Sequence, residues 1–457
     1  MKSIGIVICN YNKSEYVLNC IRSVFASDID DFDVYVVDNA SEDDSVFQIH
    51  KEFGKKVTVL VNQENLGGSG GFNRGLRQLM EGRYRYALCL DNDVIVDPAA
   101  IRILREFLEA HPDTGMVGSK VFQMEHPDTI QQFGLDVDWD NFCTEARYFG
   151  DQDDEELPEE VYCYAVPACS LMIRMDVLRL IGLMPEENFL YWDDTEWGYR
   201  CNMTGYRVAA VGASHVWHAM GAKKEEVTTF PLYYSWRNWI RFFLKFTPEE
   251  YWDVMAKAFV SEVFENIYTG LYRKEENRFR TIMLAYDDAL HGVTGKAREN
   301  RIFPIEDTGW KERFRSLVEG RNSICIVAGR YEQEALALAE RMDVVNSDCI
   351  IEVSPELSAE CESEQDMSSS KLYVELCENI FWLEEDQLCR IKPYDMEEKC
   401  GLQKIYMDVN GNFVESKEDL RMVRSYPAAR EAFLQAQIPL FMQLTAELVI
   451  AGREREE

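Results

Sequence analysis

The chain has 457 residues, 46% of them hydrophobic and 12% aromatic, enough for two or three domains with sizeable cores. Its formal net charge of −33 argues against a nucleic-acid surface, which needs basic patches to release counterions. The thirteen cysteines are scattered without a C-x-x-C pair, several in apolar runs (Cys9, Cys89, Cys163, Cys325), so they read as reduced core residues of a cytosolic protein.

Met-Lys-Ser runs straight into a strand, so no signal peptide is expected, and no apolar run approaches the ~18 residues of a membrane span. Residues 3–8 predict a first strand that runs out at Cys9-Asn10-Tyr11-Asn12. Asn12 and Glu15 have the spacing of a capping box, and Tyr16, Cys20, Ile21, Val24 and Phe25 form a helical apolar stripe. A second strand, 33–37, ends in Asp38-Asn39-Ala40-Ser41-Glu42-Asp43 and leads to a helix. A third, 57–61, ends in Asn62 and enters Asn65-Leu-Gly67-Gly68-Ser-Gly70-Gly71-Phe72-Asn73-Arg74-Gly75, a glycine-rich loop before another helix. The fourth begins at Tyr86 and stops abruptly at Asp91-Asn92-Asp93. This alternation predicts a parallel α/β sheet, and the polar strand ends predict one shared ligand crevice.

Asp91 and Asp93 fit two readings at this point. They could close a strand as a polar turn, or hold Mg²⁺ or Mn²⁺, which binds one or two carboxylates together with substrate phosphates. The glycine-rich stretch suits phosphate, because backbone amides there can approach an anion. It is neither a dinucleotide fingerprint nor an ATP loop: the glycines follow the third strand, and no Gly-Lys comes next. Between about 122 and 165 the pattern loosens, and Asp151 to Glu160 reads as a solvated acidic loop. A strand returns over 168–174. Asp193, Asp194 and Glu196 then stand between aromatics at a helix start. They could be partners of the helix dipole, or supply a general base whose pKa the aromatic surroundings raise. A strand over 206–211 precedes His215 and His218, one of which is a candidate ligand.

Taken together in order, Asn10-Tyr11-Asn12, Asp38-Asn39 with Ser41, Asn65 with Gly67-Gly68, Asp91-Asn92-Asp93, Trp192-Asp193-Asp194-Thr195-Glu196-Trp197 and His218 resemble the family-2 inverting glycosyltransferases of the GT-A fold. The likeness covers roughly residues 1–245. Gly-Gly-Ser-Gly-Gly-Phe, Trp-Asp-Asp-x-Glu and Val-Trp-His are most similar to the bacterial galactofuranosyl- and rhamnosyltransferase branch, as is Tyr233-Tyr234-x-x-Arg237-Asn238. The resemblance implies that Asn10, Asn12 and Asp38 line a nucleoside pocket, with Asp38 accepting from the uracil or thymine N–H. It implies Asn65, Gly67 and Gly68 at the ribose and diphosphate, with Arg74 toward a phosphate. Asp91 lies toward ribose and metal, and Asp93 and His218 bind the Mg²⁺ or Mn²⁺. Asp194 is the base, with Asp193 and Glu196 holding donor or acceptor hydroxyls. The implied partners are a UDP- or dTDP-linked sugar and a glycan or lipid-linked glycan acceptor in polysaccharide or cell-wall synthesis. A catalytically silent nucleotide-sugar-binding scaffold is the competing expectation.

Residues 229–246 are aromatic, with Arg237, Arg241 and Lys245 recurring every fourth residue. This basic face fits either a lipid interface at the inner side of the cell membrane or an amphipathic helix packed on the catalytic domain. Helices are expected over 251–272 and 278–291, a linker over 292–307, and a second α/β unit from about 322, with a hairpin at Asn410-Gly411. The expected domains are thus a Rossmann-like GT-A domain over 1–228, a helical extension and linker over 229–307, and a smaller α/β domain over 308–457, whose default role is docking or homo-oligomerisation.

Overall fold

The computed structural model describes residues 2–154, 156–219, 227–356, 371–390 and 404–456. The chain forms two compact units. The first comprises Met1–Phe259, Thr281–Pro304 and Phe441–Glu457, the second Val260–Arg280 and Ile305–Leu440.

The first unit begins β1 (Ile4–Asn10), α1 (Ser14–Phe25), β2 (Phe32–Asp38), α2 (Ser45–Phe53), β3 (Val57–Val61), α3 (Gly67–Glu81), β4 (Tyr86–Asp91), β5 (Val94–Val96), α4 (Ala100–Ala110) and β6 (Thr114–Gln123). It continues with β7 (Ile130–Gln132), β8 (Leu135–Asp138), β9 (Cys143–Ala146), β10 (Glu160–Cys163), β11 (Ser170–Arg174), α5 (Met175–Ile181), α6 (Asp193–Met203), β12 (Arg207–His218) and α7 (Phe230–Phe246). The main sheet runs β10-β12-β6-β11-β4-β1-β2-β3. The strands β3, β2, β1 and β4 are parallel, as their unbroken apolar sequences predict, while β11 inserts antiparallel between β4 and β6. Chain order reverses at β1, between β2 and β4, which opens a crevice at the carboxyl ends of these strands. The two faces are closed by clusters built on Ile4, Ile6, Ile8 and Leu88 on one side, and on Val7, Phe72, Leu76 and Trp197 on the other.

Several expectations are corrected here. Asn12 does not cap α1: Lys13 takes that position without a side-chain cap, and Asn12 adopts a left-handed φ of 52°. Its Oδ1 accepts instead from Glu42 N–H at 2.7 Å, which joins the loops after β1 and β2. The glycine-rich stretch is not a loop but the opening turns of α3. The glycines permit close packing: a Cβ on Gly71 would lie 2.3 Å from Cys9 Sγ, and one on Gly75 would lie 2.3 Å from Val7 Cγ1. In α1 the buried stripe is Val17, Cys20, Ile21 and Val24, while Phe25 is exposed.

The basic face of α7 is also resolved differently. Arg237 is wholly buried and donates to the carbonyls of Gly295 and Asn188 at 2.7 and 2.9 Å. Arg241 reaches the Val293 carbonyl, and Lys245 donates to Glu196 at 2.6 Å. These cations are spent inside the first unit, so they form no basic face for lipid. Helix α7 packs on the domain through Tyr233, Tyr234, Ile240, Phe242 and Phe243.

Then follow α8 (Trp252–Tyr272), α9 (Glu276–Leu290), α10 (Trp310–Val318), β13 (Ser323–Val327), α11 (Glu332–Val345), β14 (Ile350–Ser354), β15 (Lys371–Cys377), α12 (Glu385–Arg390), β16 (Lys404–Asp408) and α13 (Lys417–Glu456). The second unit holds a parallel sheet of order β14-β13-β15-β16 over a core that includes Ile324, Ile326, Leu372, Val374 and Met407. The turn at Asn410-Gly411 forms, with Gly411 at φ 79° and Asp408 Oδ1 accepting from the amides of Asn410 and Asn412, but it returns only as an isolated bridge from Met407 to Phe413. Against the sequence expectation, one helix, Lys417–Ile450, is long and apolar enough to cross a membrane by length and composition.

Candidate active site

The crevice is lined by residues at the ends of elements in the first unit. Register sets Cys9 beside Asp91 and Asn10 beside Asp38. Asn10 is fully buried; its Nδ2 donates to Asp38 Oδ1 at 3.1 Å, and its Oδ1 accepts from Asn92 Nδ2 at 2.8 Å. Asp38 Oδ2 accepts from the Ser41 amide. Asn39, buried beside it, ties the next loop down. Its Nδ2 donates to Asn65 Oδ1 and to the Gly67 carbonyl, and its Oδ1 accepts from Asn62 and from the Leu66 amide. This network delivers the N-terminus of α3, with Asn65 Oδ1 accepting from the Gly67 amide, to the same rim. Arg74 lies exposed two turns along α3.

The short strand β5 pairs antiparallel with the end of β12, and the Ala219 amide donates to the Asp93 carbonyl. This places His218 against both aspartates. Asp91, Asp93 and His218 offer ligand atoms within 4.8 Å of one another. His218 Nε2 lies 3.2 Å from Asp93 Oδ1 and 3.7 Å from Asp91 Oδ2, and Lys13 Nζ donates to Asp93 Oδ2 at 2.6 Å. Burial works to raise the Asp93 carboxyl, but His218 and Lys13 hold it well below the usual range. Burial pushes Asp91 up to about 6; His218 opposes the rise and Asp93 adds to it. His215 is a different case, packed edge-on against Phe122.

Two carboxylates and an imidazole fit a divalent cation such as Mn²⁺. A second observation supports the fit. Gln131 Nε2 lies 3.1 Å from His218 Nδ1, while Gln131 Oε1 is buried without a partner. Gln131 thus partners the ring nitrogen that faces away from the carboxylates and orients His218 Nε2 toward Asp91 and Asp93. Neither Lys13 nor Gln131 was singled out in the sequence. Lys13 follows directly on the Asn10–Asn12 motif and was legible there. Gln131 sits where the pattern loosens and had no local signal.

Asp193 and Asp194 open α6. The approach to them is strained: Phe189, Tyr191 and Trp192 all have φ of 64–66°, at about 1–3 kcal/mol for each such non-glycine residue. Asn238 holds this segment, donating to the carbonyls of Asn188, Leu190 and Tyr191 at 2.8, 2.7 and 3.1 Å. The two carboxylates then diverge. Burial raises Asp194, but the amides of Ala168 and Thr195, with the Thr195 hydroxyl, donate to it and favour its charged form. Asp193 is pushed up to about 8, by burial first and then by Asp194. It lies beside Gly68, where a Cβ would be 3.7 Å from its Oδ2. The charge of Asp91 adds to the rise at Asp193, and that of Asp194 to the rise at Asp91, so the carboxylates share one cleft. Glu196 is buried and engaged by Lys245, which makes it a brace between α6 and α7 rather than a group free to hold a hydroxyl.

Residues 5–178 match the model of Glycosyl transferase family 2. These residues form a Glycosyl transferase family 2 domain. Its sheet, with helices following, is that of a GT-A domain. Over 258 residues the chain is 21% identical to the galactofuranosyltransferase GlfT2 of Mycolicibacterium smegmatis, a match covering 52% of this chain and 40% of the relative. Over 118 residues it is 28% identical to the poly-β-1,6-N-acetyl-D-glucosamine synthase of Staphylococcus aureus, covering 26% of this chain and 28% of the relative. Among solved structures, S. aureus TarS 1–349 in complex with UDP-GlcNAc superposes with a TM-score of 0.42 at 15% identity, covering 76% of this chain and 89% of that one. The chain thus spans about two-fifths of the length of the galactofuranosyltransferases it matches.

Proposed function

We propose that the chain is a metal-dependent inverting glycosyltransferase that moves a sugar, galactofuranose or rhamnose, from a UDP- or dTDP-linked donor to a growing glycan or lipid-linked glycan. The observation that carries this reading is the meeting, at one sheet rim, of an Asp91–Asp93–His218 cluster with the adjacent carboxylates Asp193 and Asp194, of which Asp194 accepts from the amides of Ala168 and Thr195. Asp91, Asp93 and His218 would hold the cation, which when bound supplies Lewis-acid charge against the departing diphosphate. Asn10 and Asp38, already fixed to each other, line the nucleoside end. The N-terminus of α3 at Gly68 would favour the anionic diphosphate through the helix dipole, while the Gly67 amide is held by Asn65 Oδ1.

Asp194 takes the proton from the acceptor hydroxyl as the new oxygen–anomeric carbon bond forms and the anomeric carbon–phosphate oxygen bond breaks. The bonding pair leaves with the nucleotide diphosphate. Such a base contributes about 10²–10⁴-fold. Asp193, protonated at neutral pH, can donate to a substrate oxygen without adding a second negative charge.

The test is a thermal-shift panel of UDP, dTDP and their sugars with and without Mn²⁺. A ligand at 100 times its Kd adds about 2.7 kcal/mol of stability. Stabilisation that needs both nucleotide and Mn²⁺, and that disappears in Asp93→Ala and His218→Ala, is the expected result. Undiminished metal-dependent binding in both variants would remove the ligand assignment.

A further inference from the structure

We propose that the second unit carries a separate binding site for a neutral saccharide, in an open cavity of about 720 Å³ walled by α13, α8 and the segment before α12. The site stands on the second unit alone; that its ligand is the growing glycan rests on the transfer proposed above. The volume lies within the ~300–1,000 Å³ typical of small-ligand sites.

One wall is an aromatic platform. Trp382 is 55% exposed, although its neighbour Phe381 is buried and stacks on Tyr426 at 5.2 Å between ring centres. Leu434 and Ile438 extend the apolar surface along α13. The other wall is polar. Tyr426 donates to Glu265 Oε1, and Arg430 Nε lies 3.5 Å from that same oxygen while its other nitrogen donates to Ser261 at 3.1 Å. Glu265 Oε2 is buried with no hydrogen-bond partner among the described residues, so Glu265 faces Arg430 from behind and holds it. The polar groups that reach the cavity are then the partly exposed Arg430 and the exposed Glu431, beside a flat apolar face.

The lining chemistry separates the ligand classes. An acyl chain would cover the indole but would also desolvate Arg430 and Glu431 without giving either a partner. An anion meets Glu265 and Glu431 against the single cation Arg430, in a chain of net charge −33. A second cation is not called for, because Arg430 already faces the Glu265 carboxylate. A sugar ring meets both walls, with its C–H face on the indole and its hydroxyls donating to Glu431 and accepting from Arg430, which Glu265 holds in place.

The experiment uses the full chain and titrates galactofuranose and rhamnose hexasaccharides, followed by calorimetry and tryptophan fluorescence, with and without UDP and Mn²⁺. Trp382→Ala should weaken hexasaccharide binding at least tenfold, as for the loss of an aromatic anchor, and Trp382→Phe should restore part of it. Glu265→Gln should weaken binding severalfold. Transfer to a monosaccharide acceptor should be unchanged in all three. Equal binding in wild type and Trp382→Ala would overturn the site, as would no hexasaccharide binding to the full chain, or occupancy by dodecyl detergent in its place. Binding is read without turnover, so absence of transfer would sink the enzymatic reading and leave this one standing.

Discussion

Asp193 and Asp194 are adjacent in sequence and alike in chemistry, yet the fold surrounds them differently: Asp194 accepts from the amides of Ala168 and Thr195, while burial and the charge of Asp194 push Asp193 up. Asp194→Asn keeps shape and hydrogen bonds but cannot take a proton, so turnover should drop about 10²–10⁴-fold with donor affinity near wild type. Asp193 has a folded-state pKa raised to about 8, so its contribution favours folding while it is protonated and is lost as pH rises from about 4, its unfolded value, through about 8. Melting temperature followed against pH should therefore fall across that window, and Asp193→Asn should flatten the fall. If Asp194→Asn removes the pH dependence and Asp193→Asn does not, the two roles are exchanged. At the metal cluster, Gln131→Leu should loosen Mn²⁺ by about 10–100-fold, as read by electron paramagnetic resonance, because it removes the partner that orients His218. Asp91, Asp93 and His218 were legible as strand-end polar residues. Gln131 was not, because a ligand's outer partner is chosen by tertiary proximity and carries no spacing of its own.

The elements that matter most for the site are α3 and α7. Helix α3 approaches β1 only because Gly71 and Gly75 have no side chain. Gly75→Ala would put a Cβ 2.3 Å from Val7 Cγ1 and should cost about 1–3 kcal/mol through overpacking, seen as a lower denaturation midpoint. The glycines read as a phosphate loop, whereas in the structure they open α3 and let it pack close on β1, because glycine marks proximity as readily as flexibility. Helix α7 was read for its charges, and three of its cations turn out to be buried or paired. Its functional contribution lies in Asn238, which holds the left-handed run before Asp193. Asn238→Ala removes the side-chain donor to the Leu190 and Tyr191 carbonyls, at about 1–3 kcal/mol for one left buried, while the Asn188 carbonyl keeps Arg237. It should lower turnover more than donor affinity, because the run that aims Asp193 and Asp194 relaxes while the nucleoside pocket stays intact.

For the whole molecule, the constraint is charge. On the proposed function, a protein of net charge −33 would bind an anionic nucleotide diphosphate, and the means it offers are local: the N-terminus of α3, Lys13 at Asp93, and the Asp91–Asp93–His218 cluster that would hold a cation. The parallel half of the sheet was legible because each strand is an unbroken apolar run ending in polar residues. The antiparallel insertion of β11 was not, since β11 is as apolar as its neighbours and direction leaves no mark on composition. The measurement that tests the account most directly is the stereochemistry of transfer, followed by NMR on UDP-galactofuranose and dTDP-rhamnose with Mn²⁺ and an oligosaccharide acceptor. The account predicts a product of inverted anomeric configuration, formed only with the cation and lost by at least two orders of magnitude in Asp194→Asn. Retention of configuration, or full turnover in Asp194→Asn, would contradict it.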